Sequence, residues 1–171
     1  TGVTGVVSAE NSLVGSTTND FVGSSGVIVL NNGNYVVRSS EWDNGTVTNA
    51  GAVTFGNGTV GVKGEVSADN SLVGTATNER LGGLSSDKKV IALSNSNYLV
   101  TNSNWSNGSV ARVGAVTFGN GTTGVKGLIS AENFAVIPSA ASMASAALLC
   151  KKNTCTIASV GYKFLACADA D

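Results

Sequence analysis

An all-β fold built from a repeated unit is the prediction, and three observations carry it. The chain restates itself after about 60 residues. Short β-branched runs alternate with Asn-Gly turns through each copy. Side chains are small on average, 17.1 kDa over 171 residues with 22 glycines and a single proline. Apolar residues at 42% against charged residues at 12% can still build a core, so the chain is neither disordered nor collagen-like.

The repeat is read directly from the residues. Val7-Ser8-Ala9-Glu10-Asn11-Ser12-Leu13-Val14-Gly15 returns as Val66-Ser67-Ala68-Asp69-Asn70-Ser71-Leu72-Val73-Gly74, an offset of 59. Farther along, Asn34-Tyr35-Val36-Val37, Trp42 and Gly51-Ala52-Val53-Thr54-Phe55-Gly56 return at Asn97, Trp105 and Gly114, an offset of 63. The four-residue difference falls in Ser85-Ser86-Asp87-Lys88, a polar stretch suited to a loop. A third copy opens at Gly124 and breaks off after Asn133. The organisation expected is a β-repeat region over 1–133, with units 1–60 and 61–123, and a separate tail over 134–171.

Within a unit, Gly26–Leu30 and Tyr35–Arg38 flank Asn31-Asn32-Gly33-Asn34, which predicts a hairpin, because Asn-Gly tolerates positive φ. Gly51–Phe55 predicts the next strand, ended by Asn57-Gly58, and the alternation of Val60–Val66 predicts another. Four strands per unit of this length match a propeller blade rather than a solenoid coil. Asn44-Gly45-Thr46, Asn57-Gly58-Thr59 and Asn120-Gly121-Thr122 fit the glycosylation pattern, but turns this frequent explain them as turn chemistry.

Asp20-Phe21-Val22-Gly23, then Tyr35-Val36-Val37-Arg38-Ser39-Ser40, then Gly51-Ala52-Val53-Thr54-Phe55 resemble the ordered segments of FG-GAP repeats, the blades of integrin α-subunit-like β-propellers. The second copy keeps the order as Glu79-Arg80-Leu81-Gly82, Leu99–Ser103 and Gly114–Phe118. The Asn-Gly-Asn-Tyr-Val-Val, Trp-Asp-Asn-Gly and Gly-Ala-Val-Thr segments are also similar to repeats of large secreted bacterial adhesin or haemagglutinin-type proteins. FG-GAP blades often carry an Asp-x-Asp-x-Asp-Gly calcium loop. Here Asn31-Asn32-Gly33-Asn34 and Ser94-Asn95-Ser96-Asn97 stand in its place, and amides bring no charge to replace the ion's hydration, so no metal is expected.

The tail differs in kind: ten alanines in 38 residues, with the single proline, the single methionine and all three cysteines. Ser139–Leu149 reads as a three-turn helix or, from 143 on, as a strand leading into a Lys151–Thr154 hairpin loop. Thr156–Cys167 reads as one extended strand with Val160, Tyr162, Phe164 and Ala166 on one face, able to complete the third unit in its own chain or in a neighbour. Cys150 and Cys155 are placed for a cross-strand disulfide, leaving Cys167 as a candidate intermolecular thiol.

Function is expected to be non-catalytic. With no histidine the commonest general base and metal ligand are missing. A charge of −1 and a pI near 5.3 give no footprint for nucleic acid, and the weakly polar run Ser139–Leu149 is too short to span a bilayer. No cofactor is implied. A chain starting at Thr1 without a leader pattern reads as a processed mature or trimmed form, in which a removed secretion signal would leave no trace, and a secreted or cell-surface location is the expectation that goes with the repeat resemblance. Glu41 and Asp43 would be the nearest glycosidase pair, but the second copy has Asn104 and Ser106 there. Trp42 and Trp105, beside Asp43-Asn44 and Asn107, are candidate sugar contacts or packing residues. Two units cannot close a propeller, so a self-assembling structural or adhesive subunit, forming a ring or filament, is the leading expectation. A lectin-like glycan-binding module is the alternative.

Overall fold

The computed structural model describes residues 2–84, 89–131, 147–150, 155–159 and 162–166. The chain divides into two compact units, Thr1–Ala135 and Val136–Asp171. Every element among the described residues is a β-strand, as the sequence predicts.

The first unit runs through β1 (Leu13–Val14), β2 (Val27–Val29), β3 (Tyr35–Ser39), β4 (Ala52–Gly56), β5 (Gly64–Glu65), β6 (Ser71–Val73), β7 (Val90–Ala92), β8 (Tyr98–Asn102), β9 (Ala115–Gly119) and β10 (Gly127–Leu128). The predicted hairpin forms, with Val29 opposite Tyr35. Its loop is three residues long: Leu30 N donates to Asn34 O at 2.8 Å and Gly33 N to Leu30 O at 3.0 Å. Gly33 takes the left-handed position at φ 83°, and Ser96 holds the same conformation at φ 70° in the second copy.

β3 pairs antiparallel with β4, and β8 with β9, in one register: Tyr35 faces Gly56 and Tyr98 faces Gly119. A Cβ on Gly56 would lie 2.2 Å from the Tyr35 ring, and one on Gly119 2.0 Å from that of Tyr98. Each tyrosine therefore lies flat across a glycine of the neighbouring strand, a position that no larger residue leaves open.

The expectation of four strands from one copy making one sheet is corrected. The first sheet has the order β10-β6-β4-β3-β2, taking three strands from the first copy, one from the second and one from the third. β6 runs antiparallel to β4, and β10 parallel to β6 with Gly127 opposite Leu72. The same parallel ladder occurs one repeat earlier, where Leu13 of β1 faces Gly64 of β5. The long strand read over Val60–Val66 is also corrected, to Gly64–Glu65 alone. Asn57 Oδ1 accepts from Thr59 N at 2.8 Å and Val60 N at 3.1 Å, and Gly61 N returns to Asn57 O at 2.8 Å. That side-chain-closed turn leaves Val60 83% exposed. The second sheet, β7-β8-β9, repeats β2-β3-β4.

In the second unit β11 (Ala147–Cys150), β12 (Cys155–Ser159) and β13 (Tyr162–Ala166) form an antiparallel sheet in chain order. The strand alternative holds for 147–150, and the single strand read over Thr156–Cys167 is instead two, with Ser159 opposite Tyr162. Pairing within the tail satisfies the backbone groups that one long strand would leave unpaired. Cys150 lies opposite Cys155 in the β11–β12 register. Cys167, the inserted residues 85–88 and the 139–146 part of the helix read over 139–149 lie outside the described residues.

Candidate functional site at the face between repeats

Of the two readings open for Trp42 and Trp105, sugar contact or packing, their burial favours packing. Trp42 is 3% and Trp105 9% exposed, so neither indole offers a free face for stacking. Trp42 packs with Ala52, Val66 and Val73, and its buried Nε1 has no hydrogen-bond partner among the described residues. An indole that leaves its N–H unsatisfied is there for its apolar surface. Asp43 Oδ1 accepts from Asn49 N at 2.7 Å, and at the matching position Ser106 Oγ accepts from Arg112 N at 3.0 Å. An uncharged residue does the same work, which marks Asp43 as a turn residue. Asn44 exchanges backbone bonds with Val47, as Asn107 does with Val110, and Asn44 Nδ2 also donates to Gly74 O at 3.0 Å. Glu41 pairs with Arg80 at 3.4 Å.

The carboxylates that head the matched segments Asp20–Gly23 and Glu79–Gly82, 59 residues apart, form a buried pair of equivalents whose role the sequence does not show. Asp20 is 3% and Glu79 2% exposed. Asp20 accepts from Ser16 N at 2.7 Å, Thr17 N at 2.8 Å, Thr17 Oγ1 at 2.7 Å and Asp43 N at 3.0 Å. Burial pushes its pKa upward, but the Thr17, Asp43 and Ser16 hydrogen bonds outweigh that and hold the carboxyl below its ordinary value. Glu79 accepts in the same way from Thr75 N at 2.7 Å and Ala76 N at 2.9 Å, and from Asn102 Nδ2 at 2.7 Å. These are loop clamps with every oxygen engaged. Buried Arg38 is a third tie, its Nη1 donating to Gly82 O at 3.1 Å and its Nη2 to Ser25 O.

The arrangement capable of more than holding one copy together is the face between the two sheets. β2 lies against its own counterpart β7. One core cluster joins Leu30, Val36 and Val53 of the first copy to Val90, Tyr98 and Val100 of the second. Strand alternation puts Val36 of β3 on one face and Tyr98 and Val100 of β8 on the other, so opposite faces of equivalent strands meet. Tyr98 is fully buried there; desolvation pushes its pKa up to about 12, and its hydroxyl accepts from Val125 N at 3.2 Å.

The asparagine loops that replace the calcium loop border this face. Asn31 Nδ2 donates to Ser94 O at 3.0 Å, and Asn32 Nδ2 and Asn34 Nδ2 both donate to Gly121 O at 2.7 Å. Gly124 permits closer contact, since a Cβ there would lie 2.5 Å from Phe55. The interface is thus head-to-tail, with an apolar centre and an amide border.

No curated protein and no solved structure matches the chain significantly. A family model described as a repeat of unknown function (DUF5650) matches residues 1–24, 29–83 and 92–143, well over half of the sequence. The matched segments take in both copies and the opening of the third, and the chain belongs to this repeat family.

Proposed function

We propose that this protein is a non-catalytic, self-associating structural or adhesive repeat protein, acting outside the cell as a subunit of a ring or filament. The observation that carries the reading is the head-to-tail face. Leu30, Val36, Val53 and Phe55 of the first sheet have equivalents in Leu93, Leu99, Val116 and Phe118, all only half-buried. Val90 is 5% exposed against the second sheet's neighbour, whereas its equivalent Val27 is 53% exposed. A heterologous interface used once between sheets leaves part of each half displayed at opposite ends, Leu99 and Val116 on one and Val27 on the other, while Val37, the equivalent of Val100, is already buried.

Contact between the equivalent strands β2 and β7 supports a blade-like succession of the FG-GAP kind. Cys150 lies opposite Cys155 in the β11–β12 register, the pairing that a cross-strand disulfide would use in an oxidising compartment. Among the described residues no helix is long and apolar enough to cross a membrane.

Light-scattering mass tests the reading. The wild-type chain is expected at multiples of 17.1 kDa. Val27→Lys, placed on a surface already 53% exposed, should return it to a folded single subunit. A wild-type protein that stays a single subunit at high concentration overturns the reading.

A further inference from the structure

The sheet edges, as distinct from the faces, carry a more specific inference, which rests on self-association. β4 receives β6 along its free edge with Ala52 opposite Val73, Val53 opposite Leu72 and Thr54 opposite Ser71. Thr54 Oγ1 and Ser71 Oγ lie 2.6 Å apart in that seam, fully buried. A Cβ on Gly74, the next residue, would lie 2.1 Å from Ala50 O. The seam therefore selects a strand reading Ser-Leu-Val-Gly: a small hydroxyl, two apolar residues and a glycine.

β9 is the second copy of β4 and has β8 on one side but no partner on the other among the described residues. Ala115 and Val116 are half-buried, whereas Ala52 and Val53 are fully buried. By the repeat, the strand to fill this edge would come from Phe134-Ala135-Val136-Ile137. Those residues fit the seam poorly. Phenylalanine would replace Ser71 in a fully buried hydroxyl pair, and isoleucine would replace Gly74, where even a methyl meets a carbonyl.

The matching strand is at the other end of the chain. Ser12-Leu13-Val14-Gly15 is identical to Ser71-Leu72-Val73-Gly74. The turn before it is also identical in its bonding. Ser8 N donates to Asn11 Oδ1 at 2.9 Å, as Ser67 N does to Asn70 Oδ1 at 3.0 Å. Ser12 Oγ donates to Asn11 Oδ1 at 2.9 Å, as Ser71 Oγ does to Asn70 Oδ1 at 2.8 Å. β1 already carries β5 on one side, as β6 carries β10. The edge that β6 gives to β4 is unused in β1 among the described residues, and Leu13 and Val14 stay half-buried where Leu72 and Val73 are fully buried.

We infer that copies of this chain join by strand addition, β1 of one copy pairing antiparallel with β9 of the next, with Val14 opposite Ala115, Leu13 opposite Val116 and Ser12 opposite Thr117. The sheet of the first copy is the template for this joint, and backbone hydrogen bonds between β1 and β9 would supply its affinity.

Full-length protein with its three cysteines changed to serine provides the test, after circular dichroism shows it folded and light scattering shows it assembled. In this background Val14→Cys and Ala115→Cys are made separately and together. Under mild oxidation the double variant should give a ladder of covalent multimers on a non-reducing gel. A mixture of the two single variants should give a covalent dimer and nothing larger, and each single variant alone should give no more than background. Moving one partner by a residue, Leu13→Cys with Ala115→Cys, turns the thiols to opposite faces and should reduce cross-linking at least tenfold. Assembly without the ladder, or equal ladders for the two registers, overturns this joint but leaves self-association standing. A serine variant that is folded but does not assemble, when the wild-type chain does not assemble either, overturns both.

Discussion

The two copies of the repeat carry the same residues into different surroundings. Tyr35 and Tyr98 each lie across a glycine of the neighbouring strand, but Tyr98 is fully buried while Tyr35 is half-buried. Gly51 and Gly114 both have positive φ, yet a Cβ on Gly51 would lie 2.3 Å from Leu81 N, and one on Gly114 meets nothing nearer than 3.4 Å among the described residues. In each pair the difference is a neighbour. The local structure is set within a copy, and burial is set by what the next copy brings.

The tyrosine pair gives the largest expected contrast. Tyr98→Ala should cost about 3–5 kcal/mol in denaturant unfolding, as for other large aromatic residues removed from a core. Tyr35→Ala should cost less than half of that, and equal costs would break the comparison. Tyr98 adds a pH signature, because its pKa is raised from 10.0 to about 12 in the folded chain. Its contribution is complete below pH 10 and is lost as the pH rises through the folded value, so wild-type stability should fall across that window and the fall should be absent in Tyr98→Phe.

Gly51→Ala should cost about 3 kcal/mol, combining left-handed backbone strain with a backbone collision. Gly114→Ala should cost about 1 kcal/mol, the strain alone. Thermal unfolding of the two variants side by side checks this.

The next effect is smaller and appears in acid. Asp20 has a lowered pKa when folded, so the unfolded chain takes up the proton first. Its stabilisation is complete above the ordinary value of 3.8 and is lost as the pH falls through the lowered folded value. Asp20→Asn should lower stability by about 2 kcal/mol at neutral pH, from weakened charge-assisted bonds, and should flatten that part of the acid limb. An unchanged acid limb would remove Asp20 as its source.

The smallest contrast is at the hairpin loops, where Gly33 and Ser96 share the left-handed position. Ser96→Gly should stabilise by about 0.5–1 kcal/mol and Gly33→Ser should destabilise by a similar amount. Melting temperatures that move in the same direction would contradict the equivalence of the two loops.

Much of the fold was legible because its signals are local. Val27–Val29 and Tyr35–Ser39 around an Asn-Gly loop need no distant partner to specify a hairpin, and the Asn57 and Asn120 turns are closed by their own side chains. What was misread involved distant partners. The run Val60–Val66 has strand-like alternation, but a turn takes its first residues and the short strand that remains pairs with β1 some 50 residues away. Trp42 beside Asp43-Asn44 reads first as a packing residue and second as a sugar contact, and composition alone does not separate the two. Asp20 and Glu79 were visible as a recurring carboxylate, but their role depends on backbone N–H groups three and four residues earlier turning toward them.

The sequence alone determined the all-β class, the repeat and its length, the turn positions and the residue alternation, because these follow from single-residue backbone preferences and the two-residue period of a strand. Only the tertiary structure decided that a sheet is assembled from three successive copies, that the tryptophans are buried, and that opposite faces of equivalent strands meet. Those outcomes depend on which distant segments complete one another's hydrogen bonds and cover one another's apolar surface, a pairing that no local run of residues encodes.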